Sequence, residues 1–504
     1  MPRKSGPVDD PTPLTASRID IAARIAWLLR TSRSLAGLSL RDMSGALKAY
    51  DVTLSTTSLS RIESEGQRSG AALDGYAAVL GLPDGALRSP VDILCRSFSY
   101  GPPAPPEPAL GSLGSLERFS EAFEAITAES PSGGDWMRFA RHHVSDHGFG
   151  LPRTLMEPHV RRLADELCRS VGAAAELPRY EALAQLRCSV YGDLVDSVLR
   201  ELVLDPDAQV VYPLTSVLSE RPTPDLLQWA GTTLRHERTL VAQAASYALQ
   251  SMLVIGGLPV EDWESLVPHF TSAWHDDGAD ATRRAMLADL CAALPPTVQS
   301  QVRSTCPVEV EPPAGPQVWS RSRHNGHYGF AHSIAGAACT RLGHHEEPLL
   351  ERLLFEAMFD PRGVRMSTAS LFLGASPFAG VLAPLLVERR LDGPDEASRH
   401  AALGLAASCH AGEELPAAHS LLAGGDATEF ELAVAIVGRS GHWLPQDALE
   451  RGLSGAETTA RRTLHGLGMA ADPRLADIAS DRRRPDPTRR GARWWAERGG
   501  RILT

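Results

Sequence analysis

Apolar residues recur along this chain at three- and four-residue spacing, and the alternation expected of a half-buried strand is nearly absent. The pattern predicts a series of amphipathic helices punctuated by glycine and proline. In "EPLLERLLFEAMF", Leu349, Leu350, Leu353, Leu354 and Met358 form one apolar face. The stretches "LERFSEAFEAI", "EPHVRRLADELCRSV" and "TLVAQAASYALQSMLVI" read the same way. The fold class is all-α.

Residues 18–98 read as a compact bundle of about five helices. The first spans about 18–34, with Ile21, Ile25, Leu28 and Leu29 inward, and Gly37 ends the turn after it. Ser39 offers an N-cap to a second helix that points Met43 and Leu47 inward. Ser55 caps a third, in which Leu54 and Leu59 have the spacing of a hydrophobic staple. The segment "YGPPAPPEPALGSLGS" makes 99–115 a proline-rich linker. Helical segments then fill 116–305 and 321–481, with "CPVEVEPPAGPQVWS" at 306–320 as a loop or a boundary between two blocks. Serial helices without strands argue for an α-solenoid. No tetratricopeptide consensus is present, so the repeats resemble the looser HEAT-like class.

Composition narrows the options. At 504 residues the length suggests two to four domains, and 43% hydrophobic with 22% charged residues is ordinary for a globular protein. No run of eighteen apolar residues appears, so no membrane span is expected. Residues 1–17, "MPRKSGPVDDPTPLTAS", lack the apolar core of a signal peptide and read as a disordered lead-in to a cytoplasmic protein. The seven cysteines form no CxxC pair, and most lie in apolar helical stretches. No metal or cofactor is expected. The net charge of −11 speaks against the whole surface binding nucleic acid, but residues 1–100 carry +2 and the remainder −13. Lys4 and Lys48 are the only lysines, and this arginine bias suggests a GC-rich genome of the actinobacterial kind. The tail at 482–504 carries +6 with Trp494 and Trp495 adjacent. It can grip phosphate and stack on bases, or dock its tryptophans onto the acidic helical region, and the second reading is favoured.

The third helix carries the candidate chemistry. In "LSTTSLSRIESEGQR", Leu59 and Ile62 face inward, which leaves Thr56, Thr57, Ser60 and Arg61 outside. A small polar first turn fits the major groove, its N–H groups favour phosphate, and arginine reads guanine bidentately. A generic surface helix would carry the same hydroxyls. The order of parts adds to the case. A capped helix "LSLRDMSGAL", a turn, "STTSLSRIESEGQR" and then "ALDGYAAVLGLP" resembles the Cro/cI-like (XRE) helix-turn-helix family of DNA-binding regulators over residues 18–98. The resemblance makes the segment from Thr56 to Ser64 the recognition helix, with Thr56, Thr57, Ser60 and Arg61 reading bases. Ser39, Arg41, Ser55, Ser58 and Arg68 become candidate backbone contacts. Glu63 takes the family's acidic position, with Arg33 as its ion-pair partner. Three departures stand out: Leu40 where glutamine is common, the long turn "KAYDVTL", and one extra residue in "SEGQR".

The expected function is sequence-specific DNA binding by a transcription regulator, dimeric on an inverted-repeat operator. The helical region would serve dimerisation and an effector: a small molecule, a peptide or a protein. Arg321, Arg323, His324, His327 and Tyr328, from "SRSRHNGHYGFAH", form a candidate effector pocket, against the plainer reading of a polar loop. His143 and His147 have metal-ligand spacing, but a solvated helix end is the preferred reading. In "RLGHHEEPLL", Glu346 and Glu347 read as first-turn capping acids. The competing functions are an interaction scaffold with a vestigial helix-turn-helix and, further off, an enzyme. No nucleophile–base pair, P-loop or dinucleotide fingerprint supports the latter.

Overall fold

The first helix starts where Asp20 caps it, its carboxylate accepting the Ala23 amide at 2.9 Å. It runs over Ile21–Leu35 (α1) and is followed by Leu40–Leu47 (α2), Thr56–Glu65 (α3), Gly70–Val79 (α4) and Arg88–Ser97 (α5). The computed structural model of the chain describes residues 8–16, 18–101, 112–144, 150–276, 278, 281–308, 320–322 and 324–504. Helices continue from Ser112–Thr127 to Asp486–Arg498, and there is no β-strand among the described residues. Residues 102–111 and 309–319, the centres of the expected linker and internal break, lie outside them.

Successive helices pack on their neighbours and on the next but one. Ala427–Arg439, for example, lies against both Pro416–Gly424 and Glu457–Met469. Glycine permits that last crossing, because a Cβ on Gly438 would sit 2.4 Å from the Gly466 carbonyl oxygen. Two apolar cores result. One occupies residues 122–308; the other joins α1–α5 to residues 328–495. The N-terminal module is thus packed onto the later helices, with Trp27 of α1 stacked on Phe378 at 5.9 Å.

A buried ionic cluster fixes this docking. Arg24 of α1 reaches Glu356 at 2.6 Å and Asp10 at 3.2 Å. Arg352 reaches Glu356 at 2.9 Å and Asp10 at 3.1 Å, while Arg365 reaches Glu356 at 2.5 Å and Asp360 at 3.2 Å. All six side chains are buried, and a half-buried seventh, Arg362, adds a further cation on Asp360 at 2.6 Å. Such a cluster is tolerable inside a protein only when every charge is paired. Arg30 makes a second bridge, to Glu347 at 2.7 Å.

Residues 8–16 depart from the unstructured lead-in that their composition suggests; residues 1–7 and 17 lie outside the described residues. An extended, proline-rich segment leaves its carbonyls free, and guanidinium groups, one buried and one half-buried, take them up. Arg352 donates to the Asp10 carbonyl at 2.7 Å, and Arg362 donates to Leu14 and Ala16 at 2.6 and 2.7 Å.

The arginine-rich tail folds as the helix Asp486–Arg498 with Trp494 and Trp495 buried. Its arginines bind acids of the first helical block, Arg498 with Asp165 at 2.9 Å and Arg490 with Asp207 at 3.3 Å. Beyond it, the Ile502 amide donates to the Arg169 carbonyl, and its carbonyl accepts the Val171 amide, both at 2.9 Å. No single helix among the described residues is long and apolar enough to cross a membrane.

Candidate nucleic-acid interface

The local chemistry of α2 and α3 follows from their caps. Ser39 and Asp42 form a reciprocal capping box at the start of α2, which buries Met43 and Leu47. The long turn is absorbed by a short 3-10 segment, Lys48–Tyr50, with Asp51 in the left-handed region at φ 58°. The Ser44 hydroxyl then donates to the Leu54 carbonyl at 2.6 Å, tying the turn back to α2. Ser55 caps α3 by accepting the Ser58 amide at 3.0 Å. Gly66 ends α3 at φ 63°, pressed so closely on α1 that a Cβ would meet the Ala22 carbonyl oxygen at 1.8 Å.

Leu59 and Ile62 are buried, whereas Thr56, Thr57, Ser60 and Arg61 are exposed on one polar side of α3. Arg33 grips Glu63 bidentately, with both contacts at 2.6 Å, and also donates to the Leu38 carbonyl at 2.6 Å. The Tyr76 hydroxyl adds a third donor to Glu63 at 2.8 Å. Burial and the Glu63 charge push the Tyr76 phenol well above its ordinary pKa, so it stays protonated and donating. These bonds join α1, α3 and α4 and fix the angle at which α3 presents its outer side.

The remaining backbone-contact candidates divide. Ser39, Arg41 and Ser55 are exposed and Ser58 is half-buried. Arg68 turns inward to Asp92 at 2.7 Å, which removes it from the interface. Arg61 pairs with Glu65 one turn on, at 3.3 Å, and both remain largely exposed. The exposed charges of α2, the turn and α3 are mixed: Arg41, Lys48 and Arg61 against Asp42, Asp51 and Glu65.

Among the described residues the cluster at 320–328 does not line one open space, which corrects the sequence expectation of a pocket. Arg321 reaches Asp9 at 2.7 Å and the Asp10 carbonyl at 3.1 Å, so it pins the N-terminal segment. Tyr328 is buried against Phe355, His327 turns to Asp395 at 3.0 Å, and His324 is exposed. Arg323 lies outside the described residues. Arg321 also donates to the Tyr328 hydroxyl at 3.3 Å, so these two candidates meet, but His327 turns away, because a helix starts among them and sends successive side chains in different directions.

Two smaller readings also change. His143 is not a solvated helix end; it lies buried against Phe139 and Tyr191, and burial lowers its pKa to about 4. Asp146 and His147 lie outside the described residues. Glu347 stands at the N-cap of Pro348–Phe359 but caps nothing, since its carboxylate is taken by Arg30, His344 and His345.

Sequence reasoning missed an open cleft of about 380 Å³ between α5 and both helical blocks, lined by Glu176, Tyr180, Tyr212, Tyr247 and Arg439 among others. These residues are far apart in the chain and share no motif. No protein-family model and no curated protein matches this sequence.

Proposed function

We propose that residues 18–98 act as an XRE-type helix-turn-helix module and that the protein is a sequence-specific, DNA-binding transcription regulator of the cytoplasm. The observation that carries this reading is α3: a serine-capped helix with Thr56, Thr57, Ser60 and Arg61 exposed on one side, held from behind by the Arg33–Glu63–Tyr76 bonds. A helix so mounted can enter the major groove by its first turn while Ser39, Ser55 and Arg41 meet the backbone. The later helices, a HEAT-like solenoid in this reading, would supply dimerisation and effector binding. With few basic groups in reach of phosphate, a single module binds weakly, so two modules on an inverted repeat are required.

The test is selection of bound sites from random duplex DNA by the full chain, followed by titration of Arg61→Ala on the selected site. The expected result is an inverted repeat and a loss of about 1–3 kcal/mol, with relaxed preference at one base position per half-site. An unchanged preference would remove Arg61 from the reading set.

The mixed charge around α3 and the Arg61–Glu65 pair favour a second reading, an interaction scaffold with a vestigial helix-turn-helix. Salt titration separates the two. A regulator's DNA affinity falls steeply with salt; a scaffold selects no site and shows no such dependence.

A further inference from the structure

The cleft behind α5 holds two opposite charges that face one space without meeting. Glu176 stands in the first turn of Ala173–Arg187, and Arg439 is the last residue of Ala427–Arg439. Both line the cleft, yet they form no ion pair with each other. Arg439 donates to the Ala407 carbonyl, and its Nε is buried without a partner. Burial pushes the Glu176 carboxyl above the usual glutamate range, and Arg439 is the charge that opposes this. Burial likewise lowers Arg439, and Glu176 is the charge that supports it. In the Glu356 cluster, by contrast, buried charges are closely paired. Two half-desolvated charges left apart are costly unless something between them satisfies both.

The rest of the lining narrows what that something is. Tyr212 and Tyr247 meet edge to face at 6.3 Å, and Tyr180 adds a third ring. Aromatic rings on the wall of the same cleft favour a ligand that carries an ammonium group. The other acid on the wall, Glu220, is already held by Arg96 at 2.8 Å. One acid and one guanidinium therefore remain for a ligand, in a space suited to a small molecule rather than a polymer.

We propose that this cleft binds a small zwitterion of the amino-acid class, its ammonium group on Glu176 and its carboxylate on Arg439. A ligand with one charge would satisfy one side and leave the other desolvated. Because Ile93 and Ser97 of α5 also line the cleft, a bound ligand touches the last helix of the N-terminal module. The proposal stands apart from the DNA-binding reading, since occupancy is measured on the protein alone.

The experiment is calorimetric titration of the full chain with single α-amino acids and unmodified dipeptides. Each hit is compared with its decarboxylated amine and its deaminated acid. At least one probe should bind one per chain, and loss of either charged group should weaken it by about tenfold or more. Glu176→Gln should erase the preference for the zwitterion over the deaminated acid, and Arg439→Gln the preference over the amine. Ser370→Trp, at the cleft wall, should block binding while both charges stay in place. No binding by any probe would overturn the proposal. So would an amine or acid that binds as well as the parent, or binding that survives Ser370→Trp. The truncated probes test the charges on the unaltered protein even where a variant fails to fold.

Discussion

Glu356→Gln is the sharpest test of how the N-terminal module is held. Glu356 is fully buried and accepts from Arg24, Arg352 and Arg365 at 2.6, 2.9 and 2.5 Å. The amide keeps the shape but removes one of three anions, leaving the three buried guanidinium groups, with Arg362 at the edge, against Asp10 and Asp360. Removing one partner of a buried pair costs about 3–5 kcal/mol, a large share of the roughly 5–15 kcal/mol that stabilises a typical domain. Burial alone would raise the Glu356 carboxyl, but Arg24, Arg365 and Arg352 outweigh it and bring the pKa from an ordinary 4.5 to about 2. That depression corresponds to about 3 kcal/mol of pH-linked stability. Because the folded pKa is the lower one, the contribution is complete above the ordinary value and is lost as pH falls from there toward about 2. Urea unfolding of the two proteins across pH measures it: the gap should be constant near neutrality and shrink through the acid range. Hydrogen exchange should show faster opening of α1 in the variant. A gap below about 1 kcal/mol at neutral pH, with α1 exchange unchanged, would refute the view that the cluster anchors α1.

Two further variants test other joints. Gly66→Ala forces a left-handed φ of 63° on alanine and drives its Cβ into the Ala22 carbonyl; we expect a loss of about 2–4 kcal/mol in denaturant unfolding, and a neutral result would mean that α3 does not end against α1 as described. Trp495→Ala empties a site in which the indole packs on Trp494 and His465; a cost of about 3–5 kcal/mol is expected, and a cost under about 1 kcal/mol would argue that the tail is not part of the core.

Local signals were legible in the sequence, and pairings across the chain were not. The caps at Ser39 and Ser55, the stop near Gly37 and the inward set Met43, Leu47, Leu59 and Ile62 depend on residues within one or two turns, so spacing reveals them. The helix Pro348–Phe359 shows the limit. Its apolar face is legible in Leu349, Leu350, Leu353, Leu354 and Met358, but Arg352 and Glu356 are buried as well. Glu356 is paired with Arg24, 332 residues away, and nothing in a local window announces that partner. A weak sign does exist: Arg24 and Arg30 interrupt the otherwise apolar "IAARIAWLLR", where a buried charge demands a distant partner. The cleft left no sign at all, since Glu176 and Arg439 are ordinary helix-end charges until the fold brings them to one space. The cluster at 320–328 failed in the opposite way: Arg321 and Tyr328 meet, but Arg321 is spent on Asp9 and His327 on Asp395, so proximity in sequence did not make a shared space.

The same contacts bear on how DNA would be read. Glu356 and Asp10 fix Arg24; the Ala22 carbonyl of the same helix abuts Gly66; Arg33, about three turns beyond Ala22, grips Glu63. Each link is short and buried or half-buried, and together they run from the later helices through α1 to the back of α3. The direction of α3 is therefore set by the helical body on which α1 sits, and not by residues 99–115 alone. In a dimer, that body and its partner would determine the distance between two recognition helices, and with it the half-site spacing. On the proposed DNA-binding reading, Glu356→Gln would distinguish two ways of losing that binding. If α3 keeps its own contacts but its mounting loosens, affinity for an isolated half-site persists while the preference for one spacing is lost. If binding to the half-site falls as well, the cluster supports the fold of the module itself.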